Sequence, residues 1–335
     1  MNEHRSSERT TEHPGSPLER SLVEQYTAAS YESRRRFERA RAVLPGGLTR
    51  RTVYFPPYPN YIERGEGCRI YDVDGRSYID LACNYGPLIL GHRHPRVMRA
   101  IEAQLERGTV LGGPTELEAE LAEVILRAVP SGEQVLFCSS GTEANMLGLR
   151  ALRAYTGREK ILRCVGSFHG TSDSFGEGPG IPDGVGDRTV TVPFNDAGLL
   201  EEAVRKHRAE LAAGLATLEE LTDGAYAHLE RTGEALTAGL REAAESSAVG
   251  ARIVGVGSIF QVHFTDAPVT DAASAASGSR RLARLFDLAL LLRGVFPAKA
   301  HCSFVSTPLT RSDVQQVVDA ARDAFREIAR RSGRS

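Results

Sequence analysis

The stretch that most restricts the fold is EQVLFCSSGTEANMLGLRALRAYTGREKILRC, residues 133–164. It reads as a strand, a turn of small residues, a helix closed by Gly157, and a second strand over 160–164. Two strands joined through a helix form a parallel pair with the helix laid across one face. The chain is therefore expected to be an α/β protein with a parallel sheet. RTVTVPF (188–194) supplies a third strand. A helix from Asp196 runs on into AELAAGLATLEEL, where Ala, Leu and Glu favour one continuous or slightly bent helix across 209–221. Another helix covers about 225–245.

Upstream, MNEHRSSERTTEHPGSPLERS is polar, lacks the apolar core of a signal peptide, and is expected to be a disordered tail over 1–20. A helix follows from about Leu22 to Ala42, ended by PGG at 45–47, and PPYP at 56–59 is an extended crossing. CRIYDVDGRSYIDLA (68–82) is a β-hairpin turning on Asp74-Gly75. In GHRHP (91–95), Pro95 opens a helix to about Arg107. TELEAELAEVILRAV (115–129) starts with a Thr115–Glu118 capping box and carries a stripe of Leu117, Leu121, Val124 and Ile125. The C-terminal part has strands in ARIVGVG, SIFQVHF and HCSFVS, a helix ending at Arg293-Gly294, and a last helix from Thr310. Val314, Val317, Val318, Ala321, Phe325 and Ile328 form the core face of that last helix, which is expected to pack with the N-terminal hairpin.

Charge and cysteine usage exclude several classes. A net charge of −2 over 335 residues gives no pull toward nucleic acid or membrane. The densest basic run, Arg34, Arg35, Arg36, Arg39 and Arg41, alternates with Glu32 and Glu38 as a solvated helix face. Five widely spaced cysteines without a CxxC pair argue against a zinc cage or disulfide framework and fit a reducing cytoplasm. No apolar run reaches membrane-spanning length. His92 and His94 are metal ligands by type, but a turn residue and a helix cap are the simpler roles, with no third ligand near in sequence.

SSGTEAN (139–145), between strand and helix, aims backbone N–H groups at one spot on the positive end of the helix dipole. Ser140 and Thr142 add hydroxyls, so the turn is a candidate phosphate cup; simple capping is the alternative. GSFHG (166–170) places Phe168 where it either stacks on a flat ring or packs in the core, and His169 where it packs, caps or donates a hydrogen bond. A phosphate cup beside an aromatic face suggests a planar phosphorylated cofactor.

PGGLTRR, GEGCRIYDVDGRSYIDLACNYGPLILGHRHP, ERGTVLGGPTELEAELAE, SSGTEANMLGLRALRAYTGREKI and GSFHGTSD, in that order, resemble the class-III pyridoxal-phosphate-dependent aminotransferases. The nearest group is the glutamate-1-semialdehyde 2,1-aminomutase type, and GVGSIFQVHFTDAP and CSFVSTPLT resemble its C-terminal domain. The resemblance covers nearly everything from 22 to 330. It implies fold type I of the pyridoxal-phosphate transferases, an amino or keto acid substrate, and a dimer, either of identical chains or with a paralogue. Ser140, Gly141 and Thr142 then hold the cofactor phosphate, Phe168 stacks on the pyridine ring, and His169 lies beside it. Asn84 and Tyr85 fall in a loop that reaches the active site. The family's substrate-binding arginine follows PGG by several residues; Arg50 and Arg51 are nearby, out of register.

The resemblance also implies a gap. Family members continue from a segment like HRAELAA into further strands. These carry an Asp that bonds the pyridine nitrogen, the lysine that forms the Schiff base, and a Thr that binds the neighbouring subunit's cofactor phosphate. Here ELAA meets GLATLEEL directly at 212–214. About three to four βα units are absent, roughly 100 residues. None of the three lysines, Lys160, Lys206 and Lys299, stands in the lost position. The expected organisation is a tail over 1–20, an N-terminal helix and segment over 21–70, a partial cofactor-binding domain over 71–212 whose parallel sheet lacks its central strands, and an α/β small domain over 213–335. Cofactor binding is expected to be weak and non-covalent.

Overall fold

Ser16 accepts a hydrogen bond from the Glu19 N–H and Pro17 takes the first helical position, so α1 (Pro17–Ala28) begins ahead of Leu22. The computed structural model describes residues 16–129, 131–175, 180–194, 196–207, 211–214, 223–247, 249–298, 302–306 and 308–331. The expected tail is thus helical from Pro17, and its first 15 residues lie outside the described ones. The single helix expected to Ala42 is two, because α2 (Tyr31–Arg41) starts afresh. Ser30 Oγ donates to the Tyr26 carbonyl. Asp74, from the hairpin loop, accepts from Glu32 N, Ser33 N and Ser33 Oγ at 2.7, 3.1 and 2.6 Å. A carboxylate remote in sequence therefore caps α2.

Strands β1 (Ile62–Glu66), β2 (Arg69–Asp72) and β3 (Ser77–Asp80) form an antiparallel meander with Ile70 opposite Tyr78. Gly75 has φ +82°, the left-handed conformation the turn needs. Helix α3 (Pro95–Leu105) starts at Pro95, and α4 (Glu116–Ala128) has the Thr115–Glu118 capping box. Helix α5 (Gly141–Thr156), strands β4 (Lys160–Cys164) and β5 (Thr189–Val192), and helix α6 (Ala197–His207) follow as read.

Two further expectations fail. Residues 134–138 belong to no strand. Their apolar content suits a strand, but no described strand bonds to them, and Leu136 is 75% exposed. The helix expected across 209–221 is contradicted where it is described, because Leu211–Gly214 is strand β6; 209–210 and 215–221 lie outside the described residues. It lies parallel to β4, pairing Lys160 with Leu211, Ile161 with Ala213 and Leu162 with Gly214. The second edge of β4 needs backbone partners, and that demand overrides the helix propensity of a short Ala-rich segment. The resulting sheet is parallel, in the order β5-β4-β6.

The rest of the chain forms α7 (Asp223–Glu245), β7 (Arg252–Val256), β8 (Ile259–His263), α8 (Ala272–Ala276), α9 (Arg280–Leu292), β9 (Val295–Phe296), β10 (Ser303–Phe304) and α10 (Arg311–Arg331). Two units divide the chain: one of 1–109, 223–268 and 278–335, the other of 110–222 and 269–277.

The first unit holds the sheets β1-β2-β3-β9 and β10-β8-β7. The N-terminal hairpin joins the C-terminal part as expected: β3 pairs in parallel with β9, and Arg69 meets Asp313 of α10 at 2.9 Å. Tyr26, Tyr78, Leu236, Leu291 and Phe325 lie in one continuous core, with Phe286 stacked on Phe325. Several of the buried polar groups there are bonded to one another. Tyr78 donates to Asp72 at 2.6 Å, Asn60 donates to both, and Tyr26 donates to the Tyr58 carbonyl. The second unit holds the three-stranded parallel sheet, α4, α5 and α6, and its buried apolar cluster is Leu149, Ile161 and Phe175.

Candidate functional site

In the second unit the turn before α5 is built as a cup. Ser140 Oγ accepts from Glu143 N at 3.2 Å, and Glu143 Oε2 accepts from Ser139 N at 2.8 Å. Nothing among the described residues accepts from the N–H groups of Gly141 and Thr142. A Cβ built on Gly141 meets open space. Donors of this kind at the start of a 16-residue helix are the groups an anion would need, which makes this turn a candidate site.

The segment after β4 closes against this turn. Thr142 Oγ1 accepts from Thr171 N at 3.3 Å, and Asn145 Nδ2 donates to the His169 carbonyl at 2.8 Å. Gly170 has φ +107°, and a Cβ there would collide with Thr142 Oγ1, so glycine permits the approach. His169 Nε2 lies 2.9 Å from Ser167 Oγ. Burial, then the Arg163 guanidinium, holds its imidazole below the ordinary range, which favours the neutral ring. Phe168 is 82% exposed, so it is no core residue, and its ring is open to solvent.

The lysines lie elsewhere. Lys160 opens β4, with its Nζ 3.3 Å from His207 Nδ1 at the end of α6. Lys206 sits in that same last turn. His169 follows the other end of β4, a strand length or roughly 16 Å away. Parallel sheets bind ligands at the C-terminal ends of their strands, and both of these lysines are at the N-terminal end. Lys299 lies outside the described residues.

In the first unit the structure brings Arg50, Asn84 and Tyr85 together. Arg50 Nη1 donates to Asn84 Oδ1 at 3.0 Å, the Arg50 guanidinium lies 5.2 Å from the Tyr85 ring centroid, and the Tyr85 hydroxyl donates to the Thr52 carbonyl at 2.8 Å. Arg50 has no carboxylate partner among the described residues. The side chain of Arg51 is not among those described.

The turn presenting Asn84 and Tyr85 is strained. Cys83, Asn84 and Tyr85 have φ of 44°, 50° and 65°, all left-handed and none of them glycine. Asp80 holds it in place. Its Oδ1 accepts from Ala82 N and Cys83 N at 2.9 and 3.1 Å, and its Oδ2 lies 2.8 Å from His92 Nε2. His92 is fixed in turn by two backbone bonds with Gly67. Burial, then the neighbouring Asp80, pushes the Cys83 thiol up to about 12, so it is no nucleophile at neutral pH. Asp80, the Thr52 carbonyl and the link from His92 to Asp80 escape a reading of the sequence, which weighs His92 as a metal ligand by type and prefers a turn residue. The signal available was the pairing of YID with GHRHP, which only the folded hairpin brings together. Behind the turn lies a cavity of about 450 Å³ reached by Asp80, Asn84, Tyr85 and His92.

Among the described residues there is no cluster of metal-ligating side chains, and no helix is long and apolar enough to cross a membrane.

The family model "Aminotransferase class-III" matches residues 54–175. A glutamate-1-semialdehyde 2,1-aminomutase of Desulforamulus reducens is 30% identical over 430 residues, covering 90% of this chain and 100% of the relative. The same-named protein of Methanothrix thermoacetophila is 45% identical over 200 residues, covering 56% of this chain and about half, 47%, of the relative's length. Among solved structures, an omega-transaminase from Sphaerobacter thermophilus superposes with a TM-score of 0.78 at 27% identity, covering 88% of this chain and 97% of that one. A full-length relative at this identity, the family model and a shared fold lead to one conclusion: the chain belongs to the class-III aminotransferase family, whose cofactor is pyridoxal phosphate.

Proposed function

We propose that this chain is an aminotransferase of the glutamate-1-semialdehyde 2,1-aminomutase kind that keeps its two binding sites and lacks the lysine that links the cofactor. On this reading it takes up pyridoxal phosphate weakly and without a covalent bond. Its amino-group transfer is impaired.

The phosphate end of the cofactor fits the residues present. The N–H groups of Gly141 and Thr142 have no acceptor among the described residues, and the space beside Gly141 is open, as an anion requires. Phe168 offers an uncovered ring face nearby, and the neutral His169 offers a hydrogen-bonding group. The amine end does not fit. The observation that carries the proposal is the position of Lys160 and Lys206, both at the wrong end of β4 for a ring beside Phe168 and His169. When bound, the cofactor would supply an electron sink; the described residues offer no lysine there to exchange a proton with substrate. Loss of a general base alone costs about 10²–10⁴-fold in rate.

Two further observations support a lost internal segment. An alignment of 430 positions with the Desulforamulus relative is longer than this chain of 335 residues, so that relative has residues with no counterpart here. The parallel sheet ends at β6, which falls where the resemblance places the gap. The domain boundaries near 70 and 212 belong to the same proposal.

In the first unit, Arg50, with Asn84 and Tyr85, is the proposed anchor for the carboxylate of an amino or keto acid. A second reading, a non-catalytic partner of an intact paralogue in the cytoplasm, is favoured by the half-exposed apolar stripe of α4. Equilibrium binding of pyridoxal phosphate, competed by inorganic phosphate, tests the proposal. Weak binding that phosphate displaces and that Thr142→Ala lowers is the expected result. Tight binding that phosphate leaves untouched contradicts it. Inserting the lysine-bearing segment of an intact relative is expected to restore transamination.

A further inference from the structure

The cavity behind the Asn84–Tyr85 turn has walls the carboxylate anchor does not explain. Leu44, Leu48, Val53, Ile62, Leu88 and Phe296 line it. Its volume of about 450 Å³ is that of a pocket for a small organic molecule. The acidic and basic side chains that line it are Asp80 and His92, joined to each other at 2.8 Å; no Lys or Arg is among its described lining residues.

We propose that this cavity takes the side chain of the acid anchored at Arg50, and that this side chain is apolar: an aryl or branched alkyl group without a second carboxylate. The inference rests on the reading of Arg50 as the anchor. Apolar walls reward a ring or branched chain in proportion to the area removed from water. A second carboxylate there would lose its hydration and meet the Asp80 carboxylate, with no Lys or Arg among the described lining residues to pair it. Arg50, Asn84 and Tyr85 meet at one turn bordering the cavity, and most of the remaining lining is apolar, with Thr49, Thr52, Asn60, Tyr61, Asp80 and His92 the exceptions, so a ligand has one charged end and one greasy end. Selection therefore arises from what the cavity rejects as much as from what it holds.

Isothermal titration of the full chain with 3-phenylpropanoate and with glutarate tests this without any turnover. Phenylpropanoate is expected to bind at least tenfold more tightly than glutarate. Arg50→Gln is expected to weaken both at least tenfold, and Leu48→Arg to narrow or reverse the preference by giving a second carboxylate a partner. Val53→Arg, at a half-exposed wall position, repeats that test should the Leu48 variant not fold. Equal or tighter glutarate binding that still depends on Arg50 overturns the apolar cavity and leaves the anchor standing. Phenylpropanoate binding indifferent to Arg50→Gln overturns the anchor and the orientation built on it. Binding of neither acid overturns both.

Discussion

The two units of this chain do not share one core. In the first, aromatic and aliphatic side chains from α1, the hairpin, α7, α9 and α10 meet in one buried cluster, with Asn60, Asp72 and Tyr78 hydrogen-bonded within it. In the second, the buried cluster among the described residues is Leu149, Ile161 and Phe175, and Leu117, Leu121 and Val124 of the α4 stripe are each 51–52% exposed. The difference is whether a further layer covers the apolar face. An amphipathic helix has a stable place only where another layer completes it.

That contrast is testable by removing one side chain from each unit. Phe325→Ala takes away a fully buried ring stacked on Phe286, at a cost of about 3–5 kcal/mol. Hydrogen exchange is expected to show the whole first unit loosened. Ile161→Ala, at the centre of the small cluster, removes about 2–4 kcal/mol of packing. It is expected to abolish amide protection in β4, β5 and β6 while leaving β2 and β3 as slow as before. Equal protection of both units in the unaltered chain would break the comparison.

A smaller effect is expected at the remote cap. Asp74→Ala leaves Glu32 N and Ser33 N without their acceptor and costs about 1 kcal/mol, read as a lower denaturant midpoint. Asp313 sets a pH limit on the same unit. Burial works to raise its carboxyl, but hydrogen bonds from Thr310 and the Arg69 guanidinium outweigh that and hold it below the usual range. A folded pKa below the unfolded one, near 4, contributes stability that is full above about pH 4 and is lost as pH falls through the lower folded value. Asp313→Asn is expected to flatten that part of the acid-unfolding curve of the first unit.

Local signals were legible in the sequence and non-local ones were not. The hairpin at Asp74-Gly75, the capping box at Thr115–Glu118 and the core face of α10 depend on residues a few positions apart, and they stand as read. The strand expected at 134–138 needs a neighbour that its own residues cannot supply. At 211–214 the open edge of β4 draws an Ala-rich segment out of helix and into strand. The same division runs through the site. The turn before α5 is visible as SSGTEAN, whereas the Asp80–His92 pair and the cavity it borders join segments far apart in the chain.

The central claim is that the cup remains and the covalent link does not. Incubation with pyridoxal phosphate, borohydride reduction and peptide mapping, with and without excess inorganic phosphate, test it directly. The expected result is scattered, substoichiometric pyridoxyl labelling of surface lysines that phosphate does not change. One stoichiometric pyridoxyl-lysine, at Lys160, Lys206 or Lys299, that phosphate protects from labelling would contradict the claim and show that a lysine serves the site.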